Sequence, residues 1–119
     1  MLFKEIDYTD YTVVRNLIFN RKEIESISRY QQEVKFLSHE MSSYNIETAE
    51  YIANIYAVLD NYIKICQFNQ ENTEIINYMF SGMDVQDICK KKNVGSQLIF
   101  NRLRRIVSKI NLIARLERG

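Results

Sequence analysis

Apolar residues recur at helical spacing along most of this chain. Val13, Val14, Leu17 and Ile18 share one face, and Ile24, Ile27, Tyr30, Val34 and Leu37 continue a stripe at steps of three and four. The pattern predicts a helix over 10–38, either unbroken or as two helices with a short kink at the charged string Asn20-Arg21-Lys22-Glu23. His39 to Asn45 reads as a connection, because Ser42, Ser43 and Asn45 compete with the helix backbone for hydrogen bonds and favour caps. A second long helix is expected over 46–68, with Tyr51, Ile52, Ile55, Tyr56, Leu59, Tyr62, Ile63 and Cys66 on its apolar face. Two long helices with narrow stripes predict a hairpin. The stripe Ile52, Ile55, Leu59, Ile63, Cys66 exposes more apolar surface than one partner helix covers, so a second copy is expected against it.

Beyond Asn69-Gln70-Glu71-Asn72 the elements shorten. Glu74 to Phe80 is expected to form a helix with Ile75, Ile76, Met79 and Phe80 apolar, closed by Ser81 and Gly82. Asp84 is a good N-cap for a second short helix, Val85 to Lys92. Asn93-Val94-Gly95 makes a tight turn. Ser96 then caps a long final helix whose apolar positions Ile99, Leu103, Ile106, Ile110 and Ile113 step by four and three. The expected fold class is all-α: an N-terminal long-helix hairpin over 1–68, followed by a C-terminal helix-turn-helix over 71–119. Composition agrees, since 119 residues contain no proline and three glycines, too few for turn-rich β architecture.

Net charge is +1, but its distribution is uneven. Residues 1–60 carry six bases against ten acids, while 90–119 carry nine bases against the single acid Glu117. A basic end on a near-neutral chain points to a polyanion-binding module. No apolar run reaches the roughly 20 residues of a membrane span, and the first residues lack a signal-peptide pattern. The expectation is a cytoplasmic protein with Cys66 and Cys89 as reduced thiols and no membrane partner. His39 beside Glu40 reads as a capping or surface residue, and Asp84 and Asp87 as groups that complement a helix dipole. No nucleophile–base pair, phosphate loop or metal cluster stands out, so neither an enzyme nor a cofactor is expected. Seven of eight tyrosines precede residue 71, which assigns them to packing or an interface instead of a platform for single strands.

Two short helices, a turn and a basic third helix make the helix-turn-helix pattern. Ile88-Cys89 supplies an apolar and a small residue where the second helix crosses the third. Asn93 tolerates positive φ at the turn, and Val94 is an apolar plug. The segment Val85-Gln86-Asp87-Ile88-Cys89-Lys90-Lys91-Lys92-Asn93-Val94-Gly95-Ser96-Gln97-Leu98-Ile99-Phe100-Asn101-Arg102-Leu103-Arg104-Arg105-Ile106 resembles the helix-turn-helix of sigma-factor C-terminal domains. The arrangement is similar to small phage late-transcription regulators of the RinA/ArpU kind, over about residues 71–112. Lys92 stands where such turns carry an apolar residue, and Gly95 where they carry Ser or Thr.

The resemblance implies a sequence-specific DNA-binding transcription regulator of phage or mobile-element origin acting on double-stranded DNA, and a homodimer is expected because one small helix-turn-helix reads few base pairs. Lys90, Lys91 and Lys92, beside Arg102, Arg104 and Arg105, are the candidates for phosphate contact. Gln97 and Asn101, four apart, are candidates for bidentate contact to adenine. Ser96 serves either as a cap or as a contact, and Phe100 either packs or touches a thymine methyl. The alternative is a non-enzymatic interaction module that mimics a sigma C-terminal domain and binds RNA polymerase or another host protein.

Overall fold

The computed structural model of the chain describes residues 5–26 and 43–118. Among them every regular element is helical: α1 Tyr11–Phe19, α2 Ser43–Cys66, α3 Gln70–Phe80, α4 Val85–Lys92 and α5 Ser96–Arg118. A further helical stretch occupies 21–26. Asp10 caps α1, its carboxylate accepting from the amides of Thr12 and Val13. At Asn20 the backbone leaves helical geometry (φ −116°, ψ 15°), so the charged string is a break. The expected stripe at Ile27, Tyr30, Val34 and Leu37, and the connecting residues 39–42 with His39 and Glu40, lie outside the described residues.

Helix α2 starts at Ser43, earlier than its expected start near Ile46. The helix preferences of Ser and Asn differ from that of Ala by only about 0.7 kcal/mol at most, so packing further along α2 overrides them. The helix stops at Gln67, which takes a left-handed conformation with φ 51°. Asn69 then accepts from the Asn72 amide at 2.8 Å and opens α3 four residues before Glu74, where the pattern placed its start. The C-terminus of α3 closes in a Schellman motif: the Met83 amide donates to Tyr78 O and the Gly82 amide to Met79 O. Gly82 sits at φ +97°, and a Cβ there would come within 2.5 Å of Lys22 Cδ. Asp84 and Asp87 form a reciprocal capping box at the start of α4. Asn93 ends α4 in the left-handed region (φ 56°, ψ 49°), and the Val94 amide reaches back to Cys89 O at 3.1 Å. Ser96 is already the first helical residue of α5, so Gly95 occupies the position ahead of the helix.

The core is one cluster. It takes Val14, Leu17 and Ile18 from α1, Ile55, Tyr56, Leu59 and Cys66 from α2, Ile75, Ile76 and Met79 from α3, and Val85 and Ile88 from α4. Helix α5 packs against all four of the others. It can do so because its buried face is wider than the expected stripe: Val107, Asn111 and Ala114 are buried beside Ile99, Leu103, Ile106 and Ile110.

That packing corrects one expectation. Leu59 is fully buried, Cys66 and Ile55 are buried, and Ile52 and Ile63 are half-buried within the single chain. The chain's own helices therefore take up most of the α2 stripe, so that stripe by itself gives no argument for a second copy among the described residues.

Polar ties hold the N-terminal segment to this core. The Tyr56 hydroxyl donates to Leu17 O at 2.7 Å, and the Tyr8 hydroxyl to Ile55 O at 2.8 Å. Asn111, buried on α5, donates from Nδ2 to Tyr8 O at 2.7 Å. Arg21 bridges three elements. Its guanidinium lies over the rings of Tyr56 and Phe80, at 4.6 and 4.4 Å from their centroids, and it pairs with Asp60 and Glu25.

Candidate functional site

The basic C-terminal residues divide into two sets according to where α3 meets them. Lys90, Lys91, Ser96, Gln97, Phe100, Asn101, Arg104 and Arg105 are exposed along the end of α4 and the first turns of α5. Lys92 and Arg102 are half-buried and face α3. Helix periodicity explains the division on α5. Ile99 and Leu103 anchor it in the core, so Gln97, Asn101 and Arg104, at steps of four and three, share the opposite face. Arg105 lies one position round, on the flank it shares with Leu98 and Leu112, seven residues either side.

Lys92 Nζ pairs with Glu74 Oε2 at 2.7 Å. The hydrogen bond and the charge of Lys92 hold the Glu74 carboxyl below its ordinary range, and the same bond raises the Lys92 ammonium. Arg102 places Nη2 2.9 Å from Glu71 Oε2 and Nη1 3.3 Å from Asn72 Oδ1, while its buried Nε has no partner. Lys91 stacks its ammonium 5.5 Å from the Tyr78 ring centroid. Further along α5, Lys109 lies over Phe68 at 5.6 Å.

Glu71, Glu74 and Tyr78 are thus the neighbours that the linear pattern misses. Glu74 lies 18 residues from Lys92, and no local spacing rule links the two. The only available signal was the placement of two acids at i and i+3 on one short helix facing a basic one. Among the described residues no three His, Cys, Asp or Glu side chains are grouped to hold a metal ion, and no helix is long and apolar enough to cross a membrane.

An open groove of about 370 Å³ runs between the N-terminal segment and α2, lined by Glu5, Tyr8, Tyr51, Asn54, Val58 and Tyr62 among others. Burial pushes the Tyr8 phenol up to about 12, with smaller contributions from Tyr62 and Tyr51. The groove lies against α2 and the N-terminal segment, and among the described residues no basic one lines it.

The chain matches no protein-family model, no curated protein and no solved structure.

Proposed function

We propose that this protein is a sequence-specific DNA-binding transcription regulator acting in the cytoplasm. In this reading α4, the Asn93–Gly95 turn and α5 work as a helix-turn-helix, with α5 as the recognition helix. One observation carries the reading. Helix α5 buries Ile99 and Leu103 on one face and presents Gln97, Asn101 and Arg104 on the other, and Lys90 and Lys91 at the end of α4 are exposed as well. A recognition helix needs that arrangement: polar side chains reach base edges from its first turns while flanking cations hold the phosphates.

Roles follow from side-chain chemistry. Gln97 and Asn101 offer paired donor and acceptor groups that match adenine in the major groove. Phe100, 44% exposed, is free of the core and suits a thymine methyl. Lys90, Lys91, Arg104 and Arg105 neutralise phosphates. Ser96 opens the recognition helix beside them. Lys92 and Arg102 act through position, since each is paired to α3. Two copies on a twofold-symmetric site are part of the proposal because a single module of this size reads few base pairs. The resemblance to phage late-transcription regulators supports a phage or mobile-element origin.

The test is a fluorescence-anisotropy titration of an AT-rich duplex across a salt series. With three or four phosphate contacts, log K against log salt should fall with a slope of roughly −3 to −4 per subunit. A flat profile, or no binding at low salt, refutes the reading.

A second reading has its own supporting observation. Leu98, Leu112 and Leu116 are 41%, 51% and 68% exposed on α5. Exposed leucines serve a protein partner better than a phosphate backbone. A module that mimics a sigma C-terminal domain would bind RNA polymerase through them. It would hold that partner unchanged when Gln97 and Asn101 are replaced by alanine.

A further inference from the structure

Resting on the DNA-binding reading, we propose that Glu71 and Glu74 form an internal counter-charge on α3. They occupy Lys92 and Arg102 in place of phosphates and so set how many of the chain's cations a nucleic-acid backbone can engage.

The geometry is that of a polyanion contact made within the molecule. Two carboxylates at i and i+3 on α3 reach two cations, Lys92 at the end of α4 and Arg102 two turns into α5, at 2.7 and 2.9 Å. Asn72, between them, adds a carbonyl oxygen to the Arg102 guanidinium at 3.3 Å. A phosphate meets such cations with the same oxygen acceptors at the same distances. Both acids also remain on the surface, with side chains 45% and 40% exposed, so water and ions reach the pairs. Exposed pairs of this kind are weak and open to exchange. A phosphate arriving at Lys92 must displace Glu74, and the net charge it meets there is zero. These two cations therefore contribute little to counterion release.

The surroundings support this role. Lys90 and Lys91 precede Lys92 at the end of α4, Arg104 and Arg105 follow Arg102 on α5, and all four are exposed, so cations freed from α3 would add to exposed cations close to them in sequence. Sequence alone counts nine bases in 90–119, and the structure holds back two of them.

The experiment is the salt series on an AT-rich duplex with full-length wild type, Glu71→Gln/Glu74→Gln, and two controls. Each recovered phosphate contact should steepen the slope by about 0.9, which at 0.1 M salt corresponds to about 8-fold tighter binding. The double variant should therefore steepen by about 1 to 2. Glu50→Gln removes one charge, as Glu74→Gln alone does, from an exposed acid on α2, about 24 Å along the helix from its Cys66 end at about 1.5 Å per residue. It should leave the slope unchanged. Adding Lys92→Met to Glu74→Gln should abolish the gain of that single variant, which ties the gain to the freed ammonium. The three glutamates lie at helix surfaces, methionine keeps an apolar stem at the half-buried position 92, and thermal melts check that each variant is folded.

If wild type binds and the double variant keeps its slope, the counter-charge role is overturned and the DNA-binding reading stands. An equal gain from Glu50→Gln also overturns it, because general charge then explains the effect. If neither protein binds duplex DNA at low salt, both readings fall. Binding by the double variant alone supports the counter-charge in its strongest form.

Discussion

Replacing Arg21 should destabilise the protein more than any other change to a charged residue outside the basic end. Its side chain is 18% exposed, and it joins the helical stretch after α1 to α2 through Asp60 and Tyr56, and to α3 through Phe80. The guanidinium lies over both rings while it forks onto Asp60 at 2.6 and 3.0 Å. Burial alone would lower its basicity, but the bonds from Asp60 and Glu25 outweigh burial, so the group stays charged at any working pH. Each ring contact contributes roughly 0.5–1 kcal/mol at a partly buried site. The carboxylates are largely hydrated, Asp60 at 49% and Glu25 at 33% exposure, so their pairs together contribute only about 1 kcal/mol. Arg21→Ala should therefore cost about 2–3 kcal/mol, a large share of a total stability of roughly 5–15 kcal/mol. Arg21→Lys keeps the charge but loses the planar stack and the fork, at a cost of about 1–2 kcal/mol.

Urea denaturation measures both values, and the Ala variant should melt about 6–15 °C lower. A double-mutant cycle of Arg21→Ala with Phe80→Leu should show coupling of about 0.5–1 kcal/mol. The reasoning is refuted if Arg21→Ala costs less than about 0.5 kcal/mol, or if Arg21→Lys matches wild type. The first outcome would mean that the stack does not persist in solution. The second would mean that charge, and not the planar group, is what the site uses.

Four further outcomes follow. Leu59→Asp should unfold the chain and not simply split an oligomer, because Leu59 is fully buried within one chain; circular dichroism and sedimentation of the same sample distinguish the two. Gln97→Ala or Asn101→Ala should lower specific DNA binding about 5- to 150-fold while nonspecific binding barely changes, and a competition assay with scrambled duplex checks the ratio. Stability should decline as pH rises from 10 towards 12, because Tyr8 ionises near 10.0 when unfolded but only at about 12 when folded; phenolate absorbance and ellipticity should therefore change together there. Below the usual glutamate value of 4.5 the Lys92–Glu74 pair loses its contribution, because the folded carboxyl titrates lower than the unfolded one, and Glu74→Gln should flatten that part of the acid profile.

Local rules read the C-terminal half of the fold well. The left-handed positions Gly82 and Asn93, the Asp84 cap and the turn after Lys92 all depend on residues within five of one another. Each of these signals is satisfied within its own turn, so tertiary packing does not have to supply it. The width of the α5 face did not emerge from the same reading. Ile99, Leu103, Ile106 and Ile110 mark a stripe for one partner, but Val107, Asn111 and Ala114 are buried because α5 serves every other helix. A single-chain pattern records how many positions are apolar, not how many partners share them. That gap also produced the surplus face on α2: its stripe was counted against one partner helix, while Tyr8, Leu17 and α5 reach α2 as well.

The candidate site shows the same limit in its charges. A count of bases treats nine cations alike, and the departure at Lys92 reads as a charge in an apolar position. The structure resolves the conflict. The Lys92 side chain is only 17% exposed, so its methylenes do the covering that an apolar residue would do, while Nζ emerges beside Glu74. An acid on α3 receives the head of the lysine at this position. The substitution at 92 and the acid at 74 therefore belong together, although 18 residues separate them. Gly95 has no such compensation. A Cβ there would meet nothing within 4 Å, and no positive φ is required, so the backbone geometry gives no reason to prefer glycine. The departure at 92 changes which cations are free; the one at 95 leaves open space ahead of α5.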